Sequence, residues 1–328
     1  MTHDRAHSWL ERRTYHWSRF ADLPALVAAK GSTSVSLVLP ARNEERTVGT
    51  IVRCLRDALM TAEVPLVDEL VVLDHDSSDA TARIAASAGA TVVASRDVLS
   101  AYGDRPGKGE VLWKSLAATS GDVVAWVDAD IENIDASFAF GLLGPLLTDP
   151  SVAFVKGFYE RPFAERSRLR PTGGGRVTEL VARPWLNMFW PDLAGLIQPL
   201  AGEQAGRRDL LERLPFVSGY GVEVGLLIDV YDEVGLDAIA QVDLERRVHR
   251  NQSVEKLGQM AYVIQQSLMS RLQREGRMTL TDPPAPELAQ FRNRLGDYRM
   301  VVRDLPVTER PPLSDVPEYV NRRALDVM

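Results

Sequence analysis

Between residues 34 and 130, short runs of β-branched and aliphatic residues alternate with longer amphipathic segments. This alternation constrains the fold more tightly than any other feature of the chain. "SVSLVLPA" (34–41) reads as a buried strand, and a helix is expected from about Glu44 to Ala62. "VDELVVLDHDSSDAT" supplies a second strand and a turn, "TARIAASAGA" a helix closed by a glycine, and "TVVASR" a short third strand. "GEVLWKSLAATSG" is a further helix and "DVVAWVDAD" a further strand. The pattern is that of an α/β domain with a mostly parallel sheet. In such sheets ligands bind beyond the carboxyl ends of the strands. Three of these strands end in polar clusters, Pro40 to Glu45, Asp74 to Asp79 and Asp128 to Asp130, so all three are expected on one edge.

The rest of the 328 residues is organised around this block. Residues 1–33 read as an N-terminal helical extension. A looser α/β section runs from 151 to 275 and ends in the long amphipathic helix of "SVEKLGQMAYVIQQSLMSRLQREG", most simply a core helix and also a possible dimer face. Residues 276–328 are dotted with proline and read as a C-terminal arm, in part mobile. Lys and Arg total 38 against 45 Asp and Glu, a net charge of −7, which argues against a nucleic-acid partner but leaves room for a local basic pocket. The single Cys54 forms no intrachain disulfide and is expected as a small buried thiol. No apolar run approaches the roughly 18 residues of a membrane span. The charged N-terminus lacks the apolar stretch of a signal peptide, so a cytoplasmic protein is expected.

Chemistry concentrates at the strand ends. In an extended strand alternate side chains share a face, so Asp128 and Asp130 both reach one site. Two carboxylates that close repel unless a cation or donors neutralise them, and a hard divalent ion that also binds phosphate meets that need. Turn residues that stop a strand look the same at this level. "VLPARNEERTV" offers Pro40, Ala41 and Arg42 followed by acidic residues at a helix start, where Asn43 is equally suited to cap the helix. "RPGKGEVLWK" puts Lys108 between two glycines directly before a helix, as a flexible cationic loop beside a phosphate would. "GGGR" at a helix start offers free N–H groups and a guanidinium, a seat for a small anion, without P-loop spacing.

These segments, in this order, resemble the nucleotide-sugar-binding half of a GT-A glycosyltransferase. "VLPARNEE", "RPGKGEVLWKSLAATSGDVVAWVDAD", "GGGRVTELVARP", "GYGVEVGLLID", "LDAIAQVDL" and "HRN" are similar to the glucosyl-3-phosphoglycerate synthase family of actinobacteria, from about residue 14 to 275. The resemblance implies a GT-A fold: a Rossmann-like nucleotide-sugar-binding half (34–150), a smaller α/β acceptor-binding half (151–275) and a C-terminal helical arm. It implies a cytoplasmic homodimer that transfers glucose from UDP-glucose to the 2-hydroxyl of 3-phosphoglycerate, with retention and with Mg²⁺ or Mn²⁺. The product would be a precursor of glucosylglycerate and methylglucose lipopolysaccharide. By the same resemblance Pro40, Ala41, Arg42, Glu44 and His75 lie along the nucleoside, while Lys108 and Asp128 contact the nucleotide. Asp130 and His249 bind the metal, and Glu223 holds sugar hydroxyls. The backbone near Leu200 lies beside the anomeric centre. Asp128, Glu223 and Leu200 then form the catalytic set. Gly175, Arg176, Thr178 and Asn251 receive the acceptor.

The match has departures. His75 and Asp76 stand where small residues are expected, Arg42 where an aliphatic one is usual, and Ala129 where Ser is expected between the aspartates. They keep open a mannosyl-3-phosphoglycerate synthase using GDP-mannose. A sugar-nucleotidyltransferase would carry a glycine-rich loop after the first strand, and "LPARNEERT" has none. A non-catalytic nucleotide-sugar-binding protein would have no use for Asp130, His249 and Lys108 together.

Overall fold

The computed structural model describes residues 3–160, 163–165, 168–170, 175–248, 252–294 and 296–326. Its centre is an eight-stranded sheet drawn from the whole first three-quarters of the chain. The strands are β1 (Thr14–His16), β2 (Val35–Ala41), β3 (Glu69–Asp74), β4 (Thr91–Ala94), β5 (Val123–Trp126) and β6 (Phe154–Glu160), and after a hairpin of β7 (Phe163–Glu165) and β8 (Arg168–Arg170), β9 (Gln204–Arg207). Then come β10 (Phe216–Val217), which pairs outside the sheet, and β11 (Ile239–Arg246). The order across the sheet is β1-β11-β6-β9-β5-β2-β3-β4. Only β9 runs against its neighbours, β5 and β6, so the carboxyl ends of all the other strands lie on one edge.

Alternate residues of these strands feed two cores. Leu37, Leu39, Val123 and Ala125 point to one face, and Val38, Val124 and Trp126 to the other. The first face is covered by α2 (Leu23–Lys30), α3 (Val48–Leu59), α4 (Thr81–Ala88) and α6 (Ser137–Thr148). The second receives α1 (Asp4–Arg13), α5 (Lys108–Ala118), α9 (Val222–Val234) and α10 (Val254–Arg274). Helix α3 shows why: Val48, Ile51, Val52, Leu55 and Leu59 recur at helical spacing and are all buried. Two shorter helices, α7 (Arg183–Phe189) and α8 (Arg208–Leu211), complete this part.

Several sequence expectations change. Helix α3 begins at Val48 rather than Glu44, because Asn43 takes a left-handed φ of 59° and its side-chain oxygen accepts from Ser78 N at 2.8 Å instead of capping the helix. The N-terminal extension is not wholly helical, since β1 joins the sheet edge beside β11. Strands on both sides of residue 150 share the sheet. The C-terminal arm is also not simply helical: it holds the hairpin β12 (Glu287–Arg294) and β13 (Asp297–Asp304), the short β14 (Glu309–Arg310) and α11 (Pro317–Asp326). Cys54 is half-buried rather than buried. No described helix is long and apolar enough to cross a membrane.

Candidate active site

The strand ends surround a cavity of about 800 Å³, within the usual size of a small-ligand site. Pro40, Ala41, Arg42, Glu44, His75, Lys108, Asp128 and Asp130 all line it. The sequence clusters meet there because β2, β3 and β5 are parallel and in adjacent positions. The loops after β2 and β3 are tied together: Asn43 N donates to Ser77 Oγ at 2.9 Å and Glu44 N to Thr81 Oγ1 at 2.8 Å. His75 is buried, with Nε2 3.4 Å from Asp104 Oδ2, and Asp104 also takes the Lys114 ammonium at 2.7 Å.

Strand β5 ends at Trp126, before the two aspartates, so they sit in the following turn rather than on the strand. Thr47 Oγ1 braces that turn by donating to Ala129 O at 2.6 Å. Both carboxylates nevertheless face one partner that the sequence reading passed over. Arg247 Nη2 donates to Asp128 Oδ2 at 3.0 Å and to Asp130 Oδ1 at 2.5 Å. Arg247 is buried and its Nη1 donates to Tyr159 Oη at 2.8 Å and to Glu203 Oε2 at 3.1 Å, with Glu203 fully buried. The neutralising charge expected between the aspartates is therefore already in part a guanidinium.

Lys108 closes the other side of Asp128, pairing with its Oδ1, and stands 3.4 Å from Glu223 Oε1. It is no flexible loop. Gly107 has a left-handed φ of 114°, and a side chain at Gly109 would collide with Val217 O, so both flanking glycines are required by the close approach of the 217–219 backbone. Beneath the pair lies Gly202. The antiparallel register of Trp126 with Gln204 continues to bring Gly202 beside Asp128, and any side chain there would collide with Lys108 Nζ and the Asp128 carboxylate. The loop carrying Leu200 is held from below by Lys156, whose buried ammonium donates to Ala201 O at 2.6 Å and Gln204 Oε1 at 2.9 Å.

Electrostatics follow from this packing. Burial works against the Asp128 charge, but Lys108 and Arg247 outweigh it and hold the carboxyl well below the usual range. Burial likewise opposes the Lys108 charge, yet Asp128, Glu223 and Glu203 raise its pKa above that of an ordinary lysine. Lys156 goes the other way: burial, with Lys108 nearby, brings it down to about 7 despite Glu223 and Glu203.

The residues fit a hard cation that shares its coordination with a substrate phosphate. The Asp130 side chain is 35% exposed, and among the described residues its Oδ2 has no hydrogen-bond partner. His249 lies outside the described residues, as does Asn251. The chain just before His249 is anchored by Val248 N donating to Asn133 Oδ1 at 2.7 Å and by Val248 O accepting from Glu132 N at 3.1 Å. That places Val248 close to the Asp130 turn.

The remaining expected residues do not line this cavity. Gly175 has a φ of 78°, Thr178 is buried at the start of a single π-helical turn (Thr178–Ala182), and Arg176 donates to Gln252 O at 3.3 Å. This contact brings Arg176 to the start of the segment that runs from Gln252. Arg183 joins the same region to the Leu200 loop, donating to Leu196 O at 3.2 Å and Ile197 O at 2.8 Å.

Comparison with known proteins agrees with this architecture. A Glycosyl transferase family 2 model matches residues 36–200. A glucosyl-3-phosphoglycerate synthase of Petrotoga mobilis is 44% identical over 94% of this chain and 95% of its own length. That of Mycolicibacterium smegmatis is 46% identical over 94% and 98%. Among solved structures, a mannosyl-3-phosphoglycerate synthase from Rubrobacter xylanophilus superposes with a TM-score of 0.87 at 39% identity, over 95% of this chain and 98% of that one. The glucosyl-3-phosphoglycerate synthase of Mycobacterium tuberculosis, in complex with Mn²⁺, UDP-glucose and phosphoglyceric acid, gives 0.78 at 43% identity over 90% and 95%. A further structure of that enzyme holds Mg²⁺ and UDP. The chain belongs to glycosyl transferase family 2 and, within it, to the glucosyl-3-phosphoglycerate synthase family. It is a glycosyltransferase with a GT-A fold.

Proposed function

We propose that this protein transfers the glucosyl group of UDP-glucose to the 2-hydroxyl of 3-phosphoglycerate, using Mg²⁺ or Mn²⁺. The observation that carries the reading is the convergence of Lys108, Asp128 and the open Asp130 carboxylate at a nucleotide-sized cavity, with Glu223 3.4 Å behind Lys108 and Gly202 leaving room for nothing but hydrogen beside the Lys108–Asp128 pair. Complexes of the M. tuberculosis relative with Mn²⁺, UDP-glucose and phosphoglyceric acid support the choice of substrates and cation.

In this reading Pro40, Ala41, Arg42, Glu44 and His75 flank the nucleoside, and Lys108 and Asp128 contact the diphosphate and sugar. Glu223 accepts from sugar hydroxyls. Gly175, Arg176, Thr178 and Asn251 seat the acceptor anion. Asp130 and His249 hold the cation, which when bound supplies positive charge to the diphosphate. Breaking the bond to the anomeric carbon leaves negative charge on that diphosphate, and the strongly held Lys108 ammonium is fixed where it offsets the charge as it develops. Neither Asp128 nor Glu223 is a free nucleophile, because both are engaged by Lys108 and Asp128 also by Arg247. This favours attack by the acceptor on the face the leaving group departs from, beside the Leu200 backbone, with retention at the anomeric carbon.

A second reading, GDP-mannose as donor, is favoured by the superposition on the R. xylanophilus enzyme and by His75 in the base region. Both are tested by incubating the protein with 3-phosphoglycerate, Mn²⁺ or Mg²⁺ and a panel of UDP- and GDP-hexoses. Nucleotide release with UDP-glucose, and an α-anomeric product by NMR, is the expected result. Release from GDP-mannose alone overturns the donor, and release from none overturns the transferase substrates altogether.

A further inference from the structure

We propose that segment 304–310 of the C-terminal arm is part of the donor site: it walls the nucleotide-sugar cavity and, through Arg310, holds the Lys108 turn in place. The inference rests on the donor reading above. The Glycosyl transferase family 2 match ends at residue 200, so this segment lies well outside it.

Asp304, Leu305, Pro306 and Thr308 line the same cavity as Lys108 and the two aspartates. They are brought there by strand pairing. β14 runs antiparallel to β10, with Phe216 opposite Arg310 and Val217 opposite Glu309, and Ser218 N donates to Thr308 O at 2.9 Å. The opposite side of that ribbon is the surface on which Lys108 is seated. Ser218 O accepts from Glu110 N at 3.2 Å, and a side chain at Gly107 would approach the same oxygen to 2.5 Å. Three layers are therefore in direct backbone contact: the arm, the 216–219 segment and the Lys108 turn.

Side chains latch the layers together. Arg310 forms a bidentate pair with Glu110, both contacts 2.6 Å, and donates to Tyr102 O at 2.8 Å. Arg310 is 2% exposed and Glu110 is fully buried, so this is a desolvated fork with strict geometry rather than a surface ion pair. Glu110 lies in the first turn of α5, two residues after Lys108. Arg105, on the other side of Lys108, donates to Glu309 O at 2.9 Å, and Trp113 Nε1 donates to Pro311 O at 2.8 Å. The arm grips the chain on both sides of the lysine, at Arg105 before α5 and at Glu110 and Trp113 within it. Loosening it moves the ammonium that the donor diphosphate would meet, and leaves the acceptor residues at 175–178 untouched.

The test uses the full chain, with UDP binding measured by calorimetry in Mn²⁺ and steady-state kinetics with UDP-glucose and 3-phosphoglycerate. Leu305→Ala removes wall without touching the latch and is expected to weaken UDP binding about 5-fold, the loss of a few methylene-sized contacts. Arg310→Lys keeps the charge but not the fork and is expected to raise the UDP-glucose KM about 10-fold, with the 3-phosphoglycerate KM within about twofold. Arg310→Ala should exceed both; if it fails to fold, the first two variants still decide. A wild-type protein that binds no UDP overturns the donor reading and this inference with it. Wild type that binds UDP while Leu305→Ala and Arg310→Lys keep its affinity within twofold overturns the arm's role alone. An equal rise in donor and acceptor KM for Arg310→Lys also overturns it, since a general packing role predicts that result.

Discussion

Two of the clusters of paired acids and bases in this molecule use the same chemistry to opposite ends. At the strand ends, Lys108 and Arg247 hold Asp128, and Arg247 also holds Asp130. Between α9, α10 and β14, Arg271 and Arg274 hold Asp229 while Arg271 and Glu309 pair at 2.6 Å. The second cluster is sealed at its centre, with Arg274 and Glu309 at its rim 46% and 30% exposed: the Arg271 and Asp229 side chains are 0% and 2% exposed, and each Asp229 oxygen has an arginine. The first is open, with Lys108 and Asp128 each 20% exposed toward the cavity and one Asp130 oxygen without a hydrogen-bond partner among the described residues. Burial decides the outcome at Asp229, raising its pKa in spite of two arginines, whereas at Asp128 the cations win and lower it. A buried ion pair ties elements together; a half-open one keeps charge available for a ligand.

The comparison breaks most readily at Asp130. Asp130→Ala is expected to cut metal-dependent turnover by about 10³-fold or more, since removing one fixed electrostatic element already costs that order, while the thermal midpoint stays near that of wild type. Asp229→Ala should do the reverse, costing about 3–5 kcal/mol in stability by leaving its arginines uncompensated, with turnover per folded molecule preserved. Denaturant unfolding and initial rates on the same preparations check both, and an inactive but stable Asp229→Ala protein would erase the distinction. Lys108→Met should lower kcat by about 10²-fold with little change in acceptor KM, as the proposed action of its charge on the leaving diphosphate requires.

The smallest effect belongs to Lys156, which lies under the open cluster without facing the cavity. Its pKa is about 7 in the fold, below the ordinary lysine value of 10.5. Between those values the unfolded chain carries a proton that the folded one lacks, so stability rises with pH through this window; below pH 7 both forms are protonated and the contribution is flat. The slope is at most about 1.4 kcal/mol per pH unit, so about 2 kcal/mol accrues between pH 7.5 and 9. Lys156→Met should remove that increment from the wild-type unfolding profile. Parallel profiles for the two proteins would show that Lys156 stays charged.

How much was legible in the chain follows from how far each contact reaches. The strand-end clusters at 40–45, 74–79 and 128–130 could be read directly, because a run of β-branched residues broken by polar ones is a local signal, and adjacent parallel strands then deliver it to one edge. Lys108 was legible too, from the two glycines around it. Their reason was not: they make room for the backbone of Val217 and Ser218, more than a hundred residues on.

Arg247 shows the limit most clearly. In "LERRVHRN" it is one of several arginines, and nothing local separates the buried Arg247 from the exposed Arg246 before it. It becomes the shared partner of Asp128 and Asp130 because β11 runs parallel to β6 and ends at the same edge. Glu203 and Gly202 come to the site only because β9 is reversed between β5 and β6, and the arm residues 304–310 only because β14 pairs with β10. The sequence by itself determined the class of fold, the edge where the candidate site lies and the side chains that local patterning places there. The tertiary structure alone decided which charges are paired, which are open and what backs them, because these depend on contacts between segments that no local pattern encodes.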